Sequence, residues 1–384
     1  MRARGPAPGL LGLIAAVSLW FGTVPGVFAD EIAVANAAAL TAALGAARDD
    51  DTIRLADGQY GAVEIRGRRF RAPVTIRAAN PGAAEFESLR VKDSGFLRFE
   101  GLHVNHPGNG QAGSKIVALE DSDHIEIIGC EINGRVDAVF DGHFGVRVLR
   151  GTGLRFEGNF VHDVKHGIAV FGARGATLVG NRLEDIGEDS FKFVAVTGVL
   201  VENNTGPARM FPAKGAHDDF MQFQGGPSHR VTVRGNVFLP QNSLHAQGIF
   251  FGGEGGHTDL LIEENIIATS VLRAISVNSG SGIVVRQNTV IGLPRLRDRL
   301  ARITVPDGAR VEQNIWSGKK GGRSGSNLVA QARDPAAPYY YAQLFRNALR
   351  TPAPQLEDLV PLPDGPAAAI GAVVRLRELL GPAP

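Results

Sequence analysis

One short phrase recurs along this chain and limits its fold more than any other feature. Apolar or β-branched residues in alternation are followed by Gly or Glu, then Asn, then another apolar pair, as in LRFEGNFV, TLVGNRL, VTVRGNVF, LIEENII and VVRQNTV. The equivalent positions are Leu102, Cys130, Asn159, Asn181, Asn204, Asn236, Asn265, Asn288 and Asn314, spaced 22 to 32 residues apart. A second short strand precedes the phrase in successive units: VAL (117–119), VRV (146–148), IAV (168–170), FKF (191–193), MQF (221–223), IFF (249–251) and ISV (275–277). Short strands, Gly- and Asn-rich turns and almost no helical periodicity predict an all-β solenoid in which each repeat closes one coil. The asparagines are expected to be structural. Asn tolerates left-handed bends, and its amide can bond to the coils above and below.

A stack of coils has open ends that need covers. The Ala-rich stretch at 36–51 has apolar residues at helical spacing and suits a capping helix, within an N-terminal cap over 30–52. The coils are then expected over 53–318, with an irregular tail and distal cap over 319–384. Ahead of them, residues 1–29 read as a secretory signal: Arg2 and Arg4, an apolar stretch from Leu10 to Phe21, and a small-residue exit at Val27-Phe28-Ala29. That stretch is short for a bilayer span of roughly 20 residues, so a secreted or periplasmic protein without a membrane anchor is expected. Without the signal, 38 basic residues face 39 acidic ones, a net charge of −1. A near-neutral chain does not bind nucleic acid through its overall field, so an anionic ligand must meet a local patch. Cys130 is the single cysteine, which excludes an internal disulfide.

The stretches DDDTIRLADGQYGAVEIRG and APVTIRAANPGAAEFESLRVKDSGFLRFEGLHV, with HDDFMQFQGGPSHRVTVRGNVF further on, resemble secreted right-handed parallel β-helix polysaccharide lyases of the chondroitinase B and alginate lyase type. The resemblance covers roughly residues 36–316. It implies a right-handed parallel β-helix, an acidic polysaccharide substrate and export. The family's catalytic pair is not carried over: EDSFKFVAVTG has its lysine inside the strand, and VENNTGPARMFPAKGAHDD offers no Arg-His-Gly. The DPHD-like signature of mannuronan epimerases and the NTD, GHG and RIK phrases of pectin hydrolases are also missing.

Alternation in the strands sends the middle residues of VRV, IAV, FKF and MQF outward. In-register stacking then places Arg147, Ala169, Lys192, Gln222, Phe250 and Ser276 in one outer column, with a shallow trough over Ala169 between two basic residues. The residues just before these strands form the lip of that face: His143, His166, Glu188, Asp189, His217, Asp218, Asp219 and Gln247. The plain alternative is a solvated row of turn residues. A linear uronate polymer suits such a face. Its β-elimination needs a neutralised carboxylate, a base for the C5 proton and an acid for the leaving oxygen. Candidate catalytic residues are Arg147 for the carboxylate, Lys192 or His217 as base, His166 as acid and Asp219 as the group that orients His217. Gln222, Gln247 and Phe250 are candidate substrate-binding residues. Glu188, Asp189 and Asp218 are candidate ligands for calcium, the one cofactor expected; no organic cofactor is implied, and a monomer is expected. Inverting hydrolysis, C5-epimerisation and non-catalytic glycan binding, with Phe250 and Phe251 stacking on sugar, are the competing readings.

Overall fold

The computed structural model describes residues 29–108, 113–136, 141–206, 218–240, 247–269, 271–293, 300–318, 321–331, 333–347 and 353–381. Apart from Ala29, the expected signal lies outside the described residues, and so does His217. From Glu31 the chain winds into a right-handed parallel β-solenoid of about nine turns. Each coil gives one strand to each of three parallel faces. The first carries Lys115–Glu120, Asp141–Thr152, the second half of Phe160–Arg174, Phe191–Val194, Asp219–Phe223, Gln247–Phe251 and Arg273–Val277. The second includes Gly95–Glu100, Asp123–Ile128, Thr197–Glu202 and His229–Arg234. The third includes Ile266–Thr269, Thr289–Gly292 and Ile315–Gly318.

Register is held because every inward residue stacks on its equivalent in the next coil. Ile168, Phe191, Met221, Ile249 and Ile275 pair in series along the first face. A one-residue slip would turn this whole set into water. Next to them, Phe223 stacks on Phe193 at 4.5 Å and on Phe251 at 3.9 Å, within the range of favourable offset aromatic pairs.

The corner between the second and third faces holds an asparagine ladder. Asn159, Asn181, Asn204, Asn236, Asn265, Asn288 and Asn314 are buried, and each Nδ2 donates to Oδ1 of the next asparagine at 2.9–3.0 Å. The same amides donate to backbone carbonyls, as Asn204 Nδ2 does to Leu178 O at 2.9 Å. The left-handed bend is not at the asparagine, contrary to expectation. It falls on the residue before: Gly158, Gly180, Asn203, Gly235, Glu264, Gln287 and Gln313 all have φ between 54° and 64°. That preceding residue turns the chain, which leaves the asparagine side chain free to point inward and bond.

At the N-terminal end, helix Ala37–Ala46 starts where Asn36 Oδ1 accepts a hydrogen bond from Ala39 N at 2.9 Å. Its Leu40, Ala43 and Leu44 are buried against the solenoid core, as a cap requires. Parallel pairing already begins ahead of it, with Glu31–Val34 on Thr52–Leu55. At the other end the ladder continues to Asn327. The tail does more than cover that end. Tyr341, Leu344, Phe345, Leu359 and Leu376 pack on Val237, Ile266, Ile291, Ile315 and Leu328, along the outer side of the third face. Arg375 Nε reaches back to Gly235 O at 2.8 Å. The third-face strands Ile266–Thr269 and Thr289–Gly292 are buried throughout, so a second layer must shield them from water. Among the described residues, no helix is long and apolar enough to cross a membrane.

Candidate active site

Pairing on the first face puts Arg147, Ala169, Lys192, Gln222, Phe250 and Ser276 in one column, as the repeat spacing requires. Three residues earlier runs a second, lip column: Phe144 beside His166, then Asp189, then Asp219 beside Gln247. Between the columns two consecutive residues turn inward, because the chain bends there from the third face to the first. Phe220, expected outward by simple alternation, is one of them; it is buried and stacks on Phe238 at 4.8 Å. Gly167 occupies the same bend, where a Cβ would lie 2.4 Å from Ser190 O. Phe251 also belongs to the core, so of the phenylalanine pair only Phe250 faces out, with the Arg273 guanidinium 5.9 Å from its ring.

The two columns are tied together. Lys192 Nζ donates to Asp189 Oδ2 at 2.8 Å and to Gln222 Oε1 at 2.9 Å, and Gln222 Nε2 donates to Asp219 Oδ2 at 2.8 Å. His166 stacks on Phe144 at 4.6 Å and sits 3.3 Å from Glu188 Oε2 and 3.4 Å from Asp189 Oδ2. Lys165, which the sequence reading passed over, holds Glu188 Oε1 at 2.8 Å. Its signal was present: a basic residue adjoins His166 one coil ahead of Glu188.

Several buried acceptors here have no hydrogen-bond partner among the described residues: Asp189 Oδ1, both oxygens of Asp218, Asp219 Oδ1 and Gln247 Oε1. Such atoms are costly unless protonated or paired with a cation. Burial, and then the negative charges of Asp189 and Glu188, push the Asp218 carboxyl up to about 7. Asp219 is pushed up to about 7 by burial and by Asp189, against the lowering pull of Gln222 and Lys192. These two side chains are therefore carboxylic acids in mildly acidic solution, able to donate a proton.

Arg147 stands two coils before Lys192 and joins no bond of this network. Its guanidinium lies 5.3 Å from the Phe171 ring, and Ala169 between the two basic residues is fully buried. The expected open trough therefore has a covered floor. His143 is buried against His106, rings 4.6 Å apart. His162 is held at 2.7 Å by Asp163 and 3.2 Å by Glu131.

Ligand atoms of His166, Glu188 and Asp189 lie within 4.8 Å of one another, close enough to hold a divalent ion. This regroups the expected set of Glu188, Asp189 and Asp218: a histidine joins and Asp218 falls outside, because His166 and Asp189 share the lip column. The unpartnered His166 Nδ1 and Asp189 Oδ1 fit such a role. Two carboxylates accommodate calcium, whereas the imidazole nitrogen also suits a first-row transition metal.

Residues 87–206 match the family described as "Right handed beta helix region". No curated protein sequence matches the chain. Among solved structures, pectate lyase Pel9A is similar with a TM-score of 0.54 at 15% identity, over 75% of this chain and 80% of that one. A mutant of the PL6 family alginate lyase AlyGC gives 0.53 at 16% identity, over 90% of this chain but 57% of that longer one. At these identities the likeness is one of fold. The chain is a right-handed parallel β-helix protein, related in fold to pectate and alginate lyases.

Proposed function

We propose that this is an exported polysaccharide lyase that cleaves a uronate-containing polymer by β-elimination at the first face. The observation that carries the reading is the hydrogen-bonded chain on the first face in which Lys192 joins the buried Asp189 directly and the buried Asp219 through Gln222. Lys192 is assigned removal of the C5 proton, with His217 the alternative base. The electron pair left at C5 forms the C4–C5 double bond as the C4–O4 bond breaks. Asp219, protonated below about pH 7, is assigned delivery of a proton to the leaving oxygen. That role moves to Asp219 from His166, whose place between Glu188 and Asp189 suits metal ligation better. A divalent ion held by His166, Glu188 and Asp189 would supply positive charge for the substrate carboxylate. Gln222, Gln247 and Phe250, on this and the next coil, are assigned sugar contacts. The likeness in fold to a pectate lyase and an alginate lyase supports a uronate substrate.

Incubation with alginate, pectate, glucuronan and glycosaminoglycans, followed at the ultraviolet absorbance of the unsaturated uronate, tests the reading. Absorbance should rise with one of them. New reducing ends without absorbance would favour the second reading, hydrolysis, which the neighbouring carboxyls of Asp219 and Asp189 also suit. Binding without either product would favour a non-catalytic glycan-binding protein.

A further inference from the structure

A second site lies three coils towards the N-terminus from Lys192, about 14 Å along the solenoid axis, at the corner between the first and second faces. There Phe96 and His124, equivalent residues of successive coils, stack with ring centroids 4.3 Å apart and planes 7° from parallel. Both are left-handed, with φ of 57° and 52°. The corresponding residues of the next three coils are Gly153, Gly175 and Gly198, with φ of 64° to 67°. Arg230 and Asp259 of the two coils after those are left-handed too, with φ of 52° and 57°, so glycine is favoured there without being required, and a bulky side chain costs free energy. Histidine tolerates the conformation better than most residues; phenylalanine does not. Such strain is retained where a side chain is needed for something other than the turn.

The rings do not disappear into the core. Phe96 and Phe70 are half-buried and His124 is exposed. With Arg69, Asp123 and Thr152 they line a cavity of about 340 Å³. Gly153 makes room for the His124 ring, since a Cβ there would come 2.8 Å from it. At the rim, Arg69 Nη1 is 3.2 Å from Asp123 Oδ2, and Asp123 Oδ1 accepts from Thr152 N at 3.0 Å. A strained aromatic pair beside a cavity edged with fixed, planar hydrogen-bonding groups matches a pyranose, with an apolar face and a belt of hydroxyls.

We propose that the Phe96–His124 corner is an accessory glycan-binding site, which holds a sugar residue of a polysaccharide at a distance from the Lys192 cluster. Because Arg69 and Asp123 neutralise each other, the site recognises ring shape and hydroxyls and not net charge. The proposal goes beyond the lyase reading and does not need it, since the site would also serve a protein that binds without cleaving.

Affinity electrophoresis of the full chain through gels containing alginate, polygalacturonate or galactomannan tests it. Retardation is expected in at least one gel and persists at about 1 M salt, where charges are screened within about 3 Å. Phe96→Gly removes the backbone strain, so melting should be unchanged or higher while affinity at high salt falls roughly three- to tenfold. Phe96→Tyr should keep the affinity, and Lys192→Ala should leave salt-resistant binding intact. Should Phe96→Gly melt early, His124→Gly in the same gel decides by the same loss of affinity. Absence of salt-resistant retardation of the wild-type chain, or wild-type binding by both glycine variants, would overturn the proposal.

Discussion

Two columns of buried polar side chains run along this solenoid, one at each of two corners, and they are built on opposite terms. In the asparagine ladder each donor meets an acceptor, no group carries charge, and each residue repeats its neighbour's bonds. In the His166–Asp189–Asp219 column and at Asp218 beside it, charges crowd together, several oxygens lack partners among the described residues and the carboxyls of Asp218 and Asp219 are pushed up to about 7. Both columns rest on the same stacking of coils about 4.8 Å apart. The difference is that satisfied neutral groups hold the stack together, whereas unsatisfied charged ones are kept at some cost in stability and remain available to a ligand or a proton.

The largest expected effect lies in the second column. Lys192→Ala should lower turnover on the identified polymer roughly 10³-fold, the scale of a lost general base, in a steady-state absorbance assay; unchanged turnover would remove Lys192 from the chemistry. In the ladder, Asn236→Ala leaves Asn204 and Asn265 each short of a buried partner. It should cost about 3 kcal/mol of stability, read by denaturant unfolding. A loss below about 1 kcal/mol would mean the ladder is dispensable.

The charged column should show the reverse sign. Asp218 and Asp219 bind protons more tightly folded than unfolded, with folded values of about 7 against the 3.8 of an unperturbed aspartate. The stability this gives is complete below about pH 4 and drains away as the pH rises through about 7. Asp218→Asn should therefore stabilise the chain at pH 8 by on the order of 2 kcal/mol and do little at pH 4. An equal effect at both pH values would show that the carboxyl does not titrate in this window. The smallest expected effect is a rise of a few degrees in the melting temperature with millimolar divalent ion. Chelator should reverse it and His166→Ala abolish it; a rise that survives His166→Ala would place the ion elsewhere.

Much of this contrast was legible before any coordinates. The spacing from Asn159 to Asn314 announced the coils, and alternation within VRV, IAV, FKF and MQF put Arg147, Lys192 and Gln222 in one column, because a period of two admits only one register once the core face is chosen. The failures cluster where local rules meet a bend. Phe220 obeys the corner and not the alternation. The left-handed residue precedes each asparagine, because φ at a corner depends on how three sheets join. His166 became a neighbour of Asp189 through lateral pairing across 23 residues, which no local motif encodes. The seat of the tail is likewise beyond local rules: its apolar partners, Ile266 and Ile291, lie outward on strands whose residues are buried on both sides.

The sequence alone determined the repeat, the all-β solenoid, the helical cap and the membership of the outward column, since these follow from periodicity and residue type. Only the tertiary structure decided which lip residues touch, which carboxyls hold a proton near neutrality, and that Phe96 and His124 stack at a strained corner. Those properties depend on burial and on distances between coils, which arise from the stacking of remote segments and are fixed by no single one of them.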